Sequence, residues 1–473
     1  MRIVLITAVV FSFACTKQNP NLCCIDEADC ANVGLEEVKG CSDGLLCRGN
    51  QCIAEVCASS AECDADAPYC VAPPDGRCQM ACTDDAECPG FGQSSTEVFC
   101  EAGTCIECRS SNDCGNANAP ICDAGSCVAC SANDQCASGV CVDDGTCADP
   151  ADVAYVAPNG PSTGDCLETS PCATIEAALA LGRPFVVIES GTYQRSGTVN
   201  LVGVNVRLIG RGNTRPVLRR SDVGPIVTIL SAATVGLEFL ELSNSTGTPA
   251  DEAHGVECKQ LQGVPKVRLV DAVVRNNALS GVHTNTCVLD AIRSEFRANG
   301  ADGLQLIDTN TVIDACTFAE NGSEGALLDG GVHVVTNSFF FRNPRNGLSL
   351  FASPGSRVEF NTIVDNGAAG TSTDSAGFFC NANGGSLSFP NNILARNKTS
   401  TDGSGCTFPS SIIVDSTGDI GPLKFVSPDV APFDYHIQAG SMAIDAATIT
   451  TLDHDFDGDP RPSSGADVGA DEL

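Results

Sequence analysis

The chain of 473 residues has no tryptophan, four tyrosines and three methionines. Its 26 Lys and Arg are outnumbered by 59 Asp and Glu, for a formal net charge of −33. Such a surface repels phosphate backbones, which argues against nucleic acid as a partner, and attracts Ca²⁺ and other cations weakly. No apolar run approaches the ~20 residues that a membrane-spanning helix needs. Ten-residue helical patterns are also scarce, so neither a large α/β enzyme nor an α-helical solenoid fits. What the chain holds in excess is 47 Gly and 30 Cys.

The cysteines are unevenly placed, and the start of the chain accounts for them. MRIVLITAVVFSFACTKQNP has a basic start, an apolar run from Ile3 to Phe13, and Ala14-Cys15. Residues 1–14 read as a secretory signal. A small residue followed by Cys resembles the processing box of bacterial lipoproteins. That resemblance implies lipidation of Cys15, a short tether over 15–22, and a place at the outer membrane or cell surface. The lipid anchor would be the chain's contact with the membrane. Ser12 and Phe13 depart from the Leu and small residue usual there, which keeps free secretion open. Either route exports the chain to a compartment where disulfides persist.

Residues 23–152 carry an internal repeat. CIDEADC (24–30), CASSAEC (57–63), CTDDAEC (82–88), CRSSNDC (108–114) and CSANDQC (130–136) share one spacing, and two further cysteines follow each. That gives five four-Cys repeats, with Cys23 and Cys41 left as an extra pair. Each repeat has too few large apolar residues for a core, so disulfides must hold it. Four cysteines allow three connectivities, among which sequence does not choose. The CxxC spacings Cys105–Cys108 and Cys127–Cys130 suit zinc, but they straddle repeat boundaries. The repeats resemble small four-Cys modules near the N-termini of bacterial surface lipoproteins, which implies a stalk or binding array.

A second repeat follows. Gly281, Gly303, Gly325 and Gly347 recur every 22 residues, as do Asn277, Asn299, Asn321 and Asn343, and Asn366 with Gly370 continues the series. After each Gly comes a short alternating segment, as in Gly303-Leu-Gln-Leu. Three residues before the Asn sits Phe296, Phe318 or Phe340, and five before it Ser294, Cys316 or Ser338. Two or three short strands per 22 residues make one coil of a parallel β-helix. Coils stack about 4.8 Å apart, so roughly ten coils make a rod of about 45–50 Å. The Asn residues would form a ladder, with amides bonding along the stack. Gly322 would permit a tight turn. Asn321-Gly322-Ser323 matches the glycosylation triplet, yet its equivalents lack the Ser. Cys316 falls in a small inward slot and reads as a buried free thiol.

VAYVAPNG, CATIEAALALG and VVIESGTY resemble the start of right-handed β-helix proteins of the pectate-lyase-like superfamily. The end, around Asp457-Gly458, Arg461-Pro462 and Asp467-Val468-Gly469-Ala470, resembles the closing segment of bacterial β-helix surface proteins. The expected fold is therefore all-β: a right-handed parallel β-helix over 153–440, capped at its N-terminal end by a helix within 172–181, with a closing segment over 441–473. Cys166–Cys172 would brace the cap, and Cys258–Cys287 and Cys380–Cys406 are further candidate pairs.

Three groups of residues invite chemistry. The outward positions after each Gly form a row, Glu257, His283, Gln305, Leu327, Ser349 and Phe379, beside Lys259, Asn285, Asp329 and Asn381. Resemblance to polysaccharide lyases implies that such a face binds sugar, with Lys, Arg or His removing a proton. Glu257, Lys259 and His283 would be that acid/base cluster; a solvated strand face is the plainer reading. Asp290 and Asp314 sit at different offsets from the repeat Asn and do not stack as a hydrolase pair. Asp453, Asp455, Asp457 and Asp459 resemble a Ca²⁺ loop. The twelfth position from Asp453 is Ser464, where an EF-hand needs Glu. The favoured reading is a C-terminal cap in which Arg461 pairs with these carboxylates, with Ca²⁺ the one cofactor left open.

No convincing catalytic set stands out. The expectation is an exported, lipid-anchored, non-catalytic protein that binds a glycan or surface protein along its rod. A polysaccharide lyase or glycoside hydrolase is the alternative, and a surface-layer or matrix component the third.

Overall fold

The computed structural model describes residues 82–88, 99–351, 353–367, 376–416, 418–448 and 452–473, and the backbone of Leu46–Arg48, Gln51–Ile53, Tyr69–Val71 and Arg77–Gln79. The signal segment, Cys15, the tether and the pair Cys23 and Cys41 lie outside the described residues. Two compact units result, with the boundary at 136–148.

In the cysteine-rich unit, the third and fourth cysteines of a repeat face each other across a two-stranded antiparallel ladder. The pairs are Cys47 and Cys52, Cys70 and Cys78, Cys100 and Cys105, and Cys122 and Cys127. In the three repeats from Cys82 onward, the third and fourth cysteines each bond a cysteine from the segment before them: Cys82–Cys100 with Cys88–Cys105, Cys108–Cys122 with Cys114–Cys127, and Cys130–Cys141 with Cys136–Cys147. The connectivity is first-to-third, second-to-fourth. It commits the sulfurs of both CxxC spacings to disulfides, which removes the zinc reading. The polar residue just before the second cysteine closes a tight turn. Asp113 Oδ2 accepts from the backbone N of Arg109 and Ser110 at 2.9 and 2.8 Å.

The larger unit is a parallel β-helix of three sheets with nine, ten and nine strands. The first sheet runs from Val153–Val156 to Arg357–Glu359, the second from Thr192–Arg195 to Ile412–Val414, and the third from Val199–Val202 to Thr399–Ser404. The alternating pattern after each Gly forms the third sheet: Leu304 and Leu306 are buried, while Gln305 lies between them facing out. Inside the second sheet, Phe318 stacks between Phe296 and Phe340, with ring centroids 5.0 and 4.6 Å apart.

The corners hold two ladders. In one, Asn277, Asn299, Asn321, Asn343, Asn366 and Asn397 pass Nδ2–H to the next Oδ1 at 3.0 to 3.1 Å. The second was not foreseen: Ser294, Cys316, Ser338, Asn361 and Asn392 occupy the slot five residues earlier. Ser338 N donates to Asn361 Oδ1 and Cys316 N to Ser338 Oγ. The Cys316 thiol donates to the carbonyl of Asp314 as Ser338 Oγ donates to that of Thr336. Full burial pushes the thiol up to about 12, so it stays protonated. Each ladder residue follows one in the left-handed region, such as Glu320 (φ 55°) before Asn321 and Asn337 (φ 49°) before Ser338. These corners cost energy in L-residues, and the ladder amides hold them. Gly322 is therefore not the turn residue. It is glycine because a Cβ there would meet the Gly300 carbonyl oxygen at 2.3 Å.

At the N-terminal end the helix is shorter than expected, Ile175–Leu179. Thr174 Oγ1 caps it by accepting from Ala177 N, and it packs on Val153–Val156 and Phe185–Glu189. Disulfides join Cys166 to Cys172, Cys258 to Cys287 and Cys380 to Cys406. Nine disulfides among the described residues fit an oxidising, exported environment. No helix among them is long and apolar enough to cross a membrane.

The C-terminal segment corrects the expectation of an end cap. From Leu423 onward it lies along the outer face of the second sheet. Phe425, Tyr435, Ile437, Ala443, Val468 and Ala470 pack there on Ala319, Phe339, Phe341, Val364, Ile393 and Ala395. Those outward apolar residues break the polar-out pattern, and burying them is what draws the segment back. Ala470 N donates to Thr362 Oγ1 at 3.0 Å, Gly469 N to the Asn391 carbonyl at 3.1 Å, and the His454 ring bonds Asp314 at 2.8 Å.

Candidate functional site

Strand register sets Glu257 opposite His283, then Gln305, Leu327, Ser349 and Phe379 in one row. Lys259, Asn285, Asp329 and Asn381 form the neighbouring row, with Ile307 and Phe351 interleaved. The structure thus brings Glu257, Lys259 and His283 together: His283 Nδ1 is 2.9 Å and Lys259 Nζ 3.0 Å from the Glu257 carboxylate. It also differs from the expected open face. Glu257 is only 1% exposed. His254, three residues before it, places Nε2 3.6 Å from the same carboxylate and stacks its ring on His283 at 4.8 Å. Burial is the main influence on His254 and lowers it to about 4 against the pull of Glu257. Burial would also lower Lys259, but its bonds to Glu252 and Glu257 outweigh it and raise the pKa. A general base must reach a substrate proton. Glu257 is shielded and already paired, so the acid/base reading of Glu257, Lys259 and His283 loses support.

A stack of polar turn residues continues beside this row. Glu324 N donates to Asp302 Oδ1 at 2.9 Å, and Asn346 Nδ2 bonds Glu324 Oε1 at 3.2 Å and Ser349 Oγ at 2.8 Å. Glu324 Oε2 has no partner, and burial pushes the carboxyl up to about 7. Because the folded pKa exceeds the unfolded value of ~4.3, the folded state holds the extra proton between these values. Stability should therefore fall as pH rises from about 4.5 through 7. Glu324→Gln should flatten that part of a melting-temperature profile and raise stability at pH 8. An unchanged slope would show that Glu324 is ionised in the fold.

The four carboxylates of the proposed Ca²⁺ loop do not converge on one point, and no close donor group unites them. Asp455 is fully buried and accepts the backbone N–H of Asp457, Asp459 and Glu472 at 3.0, 2.7 and 2.9 Å. Asp453 turns to His454, and Asp457 to His436. Nor does Arg461 pair with these groups. Its guanidinium binds Glu472 at 2.9 Å and the carbonyls of Asp467 and Gly469, over the Phe360 ring. These residues build the returning segment's own turn.

A surface that sequence reading missed runs along the outer face of the second sheet. Thr192, Val217, Glu241, Val273, Glu295, Thr317 and Phe339 are successive partners on seven coils. They floor three adjoining cavities of about 660, 340 and 520 Å³ that share lining residues such as Glu295. At ~4.8 Å per coil the groove extends about 29 Å. Arg215, Arg275, Arg293 and Arg297 line it, concentrated in a chain poor in bases. Arg275 pairs with Glu241 at 2.9 Å and Arg297 with Glu320 at 2.7 Å, both half-exposed. The far end is aromatic: Phe339, Phe341, Phe433, Tyr435 and Phe456. Phe339 and Phe341 come from one strand of the second sheet, and Phe433, Tyr435 and Phe456 from the returning segment, whose packing brings the two sets together.

A family model described as a right handed beta helix region matches residues 266–418. Among solved structures the chain is similar to a pectate lyase, at 18% identity and a TM-score of 0.48, covering 68% of this chain and 96% of that one. It is similar to tailspike protein 2 of Escherichia coli O157:H7 bacteriophage CAB120, at 12% identity and 0.41, covering 55% and 37%. It is similar to a mannuronan C-5 epimerase A-module of Azotobacter vinelandii, at 17% identity and 0.30, covering 51% and 89%. No curated protein matches the chain.

Proposed function

We propose that this parallel β-helix is a non-catalytic glycan-binding rod, exported and anchored through Cys15, that holds a polysaccharide chain in the second-sheet groove. The groove itself carries the reading. It is open, about 29 Å long by the coil spacing, and lined by guanidinium and carboxylate edges that suit hydroxyl and carboxyl groups, with aromatic faces at one end. Its length suits several sugar units, whereas Glu257 is buried and already paired with Lys259 and His283.

The test is binding of the full chain to a panel of acidic and neutral polysaccharides, with product analysis of each mixture. Arg275→Ala, midway along the groove, and Phe433→Ala, at its aromatic end, should each weaken binding about tenfold or more, a loss of ~1.4 kcal/mol. Binding untouched by both would defeat the groove assignment. New reducing ends or unsaturated products that disappear in His283→Ala would establish the lyase or hydrolase alternative instead.

A further inference from the structure

His254, Glu257 and His283 lie on a different sheet from the groove, and they do something the glycan reading does not require. One ligand atom from each falls within 4.8 Å of the others. Glu257 and His283 are fixed by register on adjacent third-sheet strands, and His254 precedes Gly255, where the chain enters the first of them. The two imidazoles stack at 4.8 Å with a 16° tilt, which turns both toward the one carboxylate. We propose that His254, Glu257 and His283 form a binding site for one divalent transition ion of the zinc class.

Three observations support it. First, two imidazoles and one carboxylate are the donor set of a mononuclear zinc site, which leaves a fourth position for water or another ligand. Second, His254 is 8% exposed and its Nδ1 is buried without a partner. Third, a carboxylate as buried as Glu257 requires positive charge beside it. Lys259 Nζ supplies it now from 3.0 Å while also bonding Glu252. An ion at Glu257 would take over that role and leave Lys259 its second partner. His283 and Lys259 side chains are 19% and 30% exposed, which gives an ion a way in from solvent.

The roles of Lys259 and the histidines give opposite predictions. Zn²⁺ titrated calorimetrically into the metal-stripped full chain should bind at one equivalent. Co²⁺ should give the visible absorption of a tetrahedral nitrogen and oxygen site. His283→Ala and Glu257→Gln should weaken Zn²⁺ binding by about 100-fold or more, since even indirect partners of ligands are worth 10–100-fold. Lys259→Met, which removes the competing ammonium, should tighten it. Unchanged melting of each variant's strand signal shows that the rod is intact. If a variant fails to fold, the Lys259→Met comparison and the cobalt spectrum decide alone. No saturable Zn²⁺ or Co²⁺ binding, equal affinity in intact His283→Ala, or weaker binding in Lys259→Met would each overturn the assignment.

Discussion

Replacing Asn321 by alanine should cost the rod about 4 kcal/mol, taking ~1–3 kcal/mol for each buried polar group left unpaired. Its Oδ1 accepts from both the backbone N and the Nδ2 of Asn299, and its own Nδ2 donates to Asn343 Oδ1 and to the Phe296 carbonyl. Asn321 is 1% exposed, so water does not replace these bonds without opening the coil. Truncation also removes the side chain that follows the left-handed Glu320 corner. The same change at Asn277 should cost less: its Oδ1 receives the Ser245 N–H and no ladder amide, and a single ladder bond leaves it. Urea unfolding followed by circular dichroism would measure both. A cost below ~1 kcal/mol for Asn321→Ala would show that the ladder amides are paired elsewhere.

Mild reduction should dismantle the four-Cys repeats and leave the β-helix standing. The buried apolar groups of the described repeats are largely the cystines themselves: Cys82, Cys88 and Cys105 in one, Cys130 and Cys136 with Ile121 in another. Each disulfide closes 11 to 18 residues, and a loop of about 15 contributes ~3 kcal/mol. Two such losses exceed what so small an apolar cluster supplies. In the β-helix, by contrast, Cys166, Cys172, Cys258 and Cys380 are fully buried within a continuous core. Limited proteolysis after reductant should therefore degrade the region before residue 150 and spare a fragment covering the remainder. Loss of both regions at one reductant concentration would contradict this, as would protection of both.

The rod was legible because its constraints repeat. A glycine whose Cβ would strike the next coil, an Asn that pairs with its own copy and a Phe that stacks on its own copy must all recur at the coil length. Gly325, Asn321 and Phe318 therefore announced the period of 22. The second ladder was hidden because Ser294, Cys316, Ser338, Asn361 and Asn392 do one job with three side-chain types. Outward alternation correctly set Glu257 beside His283, but it says nothing about what lies over a strand, so the burial of Glu257 and the approach of His254 were missed. The returning segment is not periodic. Its contacts span more than a hundred residues, as between Thr362 and Ala470, and no local pattern records them.

A stack in which each coil touches only its neighbours can come apart from an end, one layer at a time. The returning segment alters that behaviour. It is fastened to Asp314, Asn337, Thr362 and Asn391, which belong to different coils. Peeling the last layer at Ile412–Val414 thus means releasing a strap whose other fastenings lie several layers inward. The fastenings share load in parallel rather than in series, so the C-terminal half should open as one cooperative block. Amide exchange would show it as matched opening energies for Phe318 and Ile413, where an unstrapped rod would fray first at Ile413.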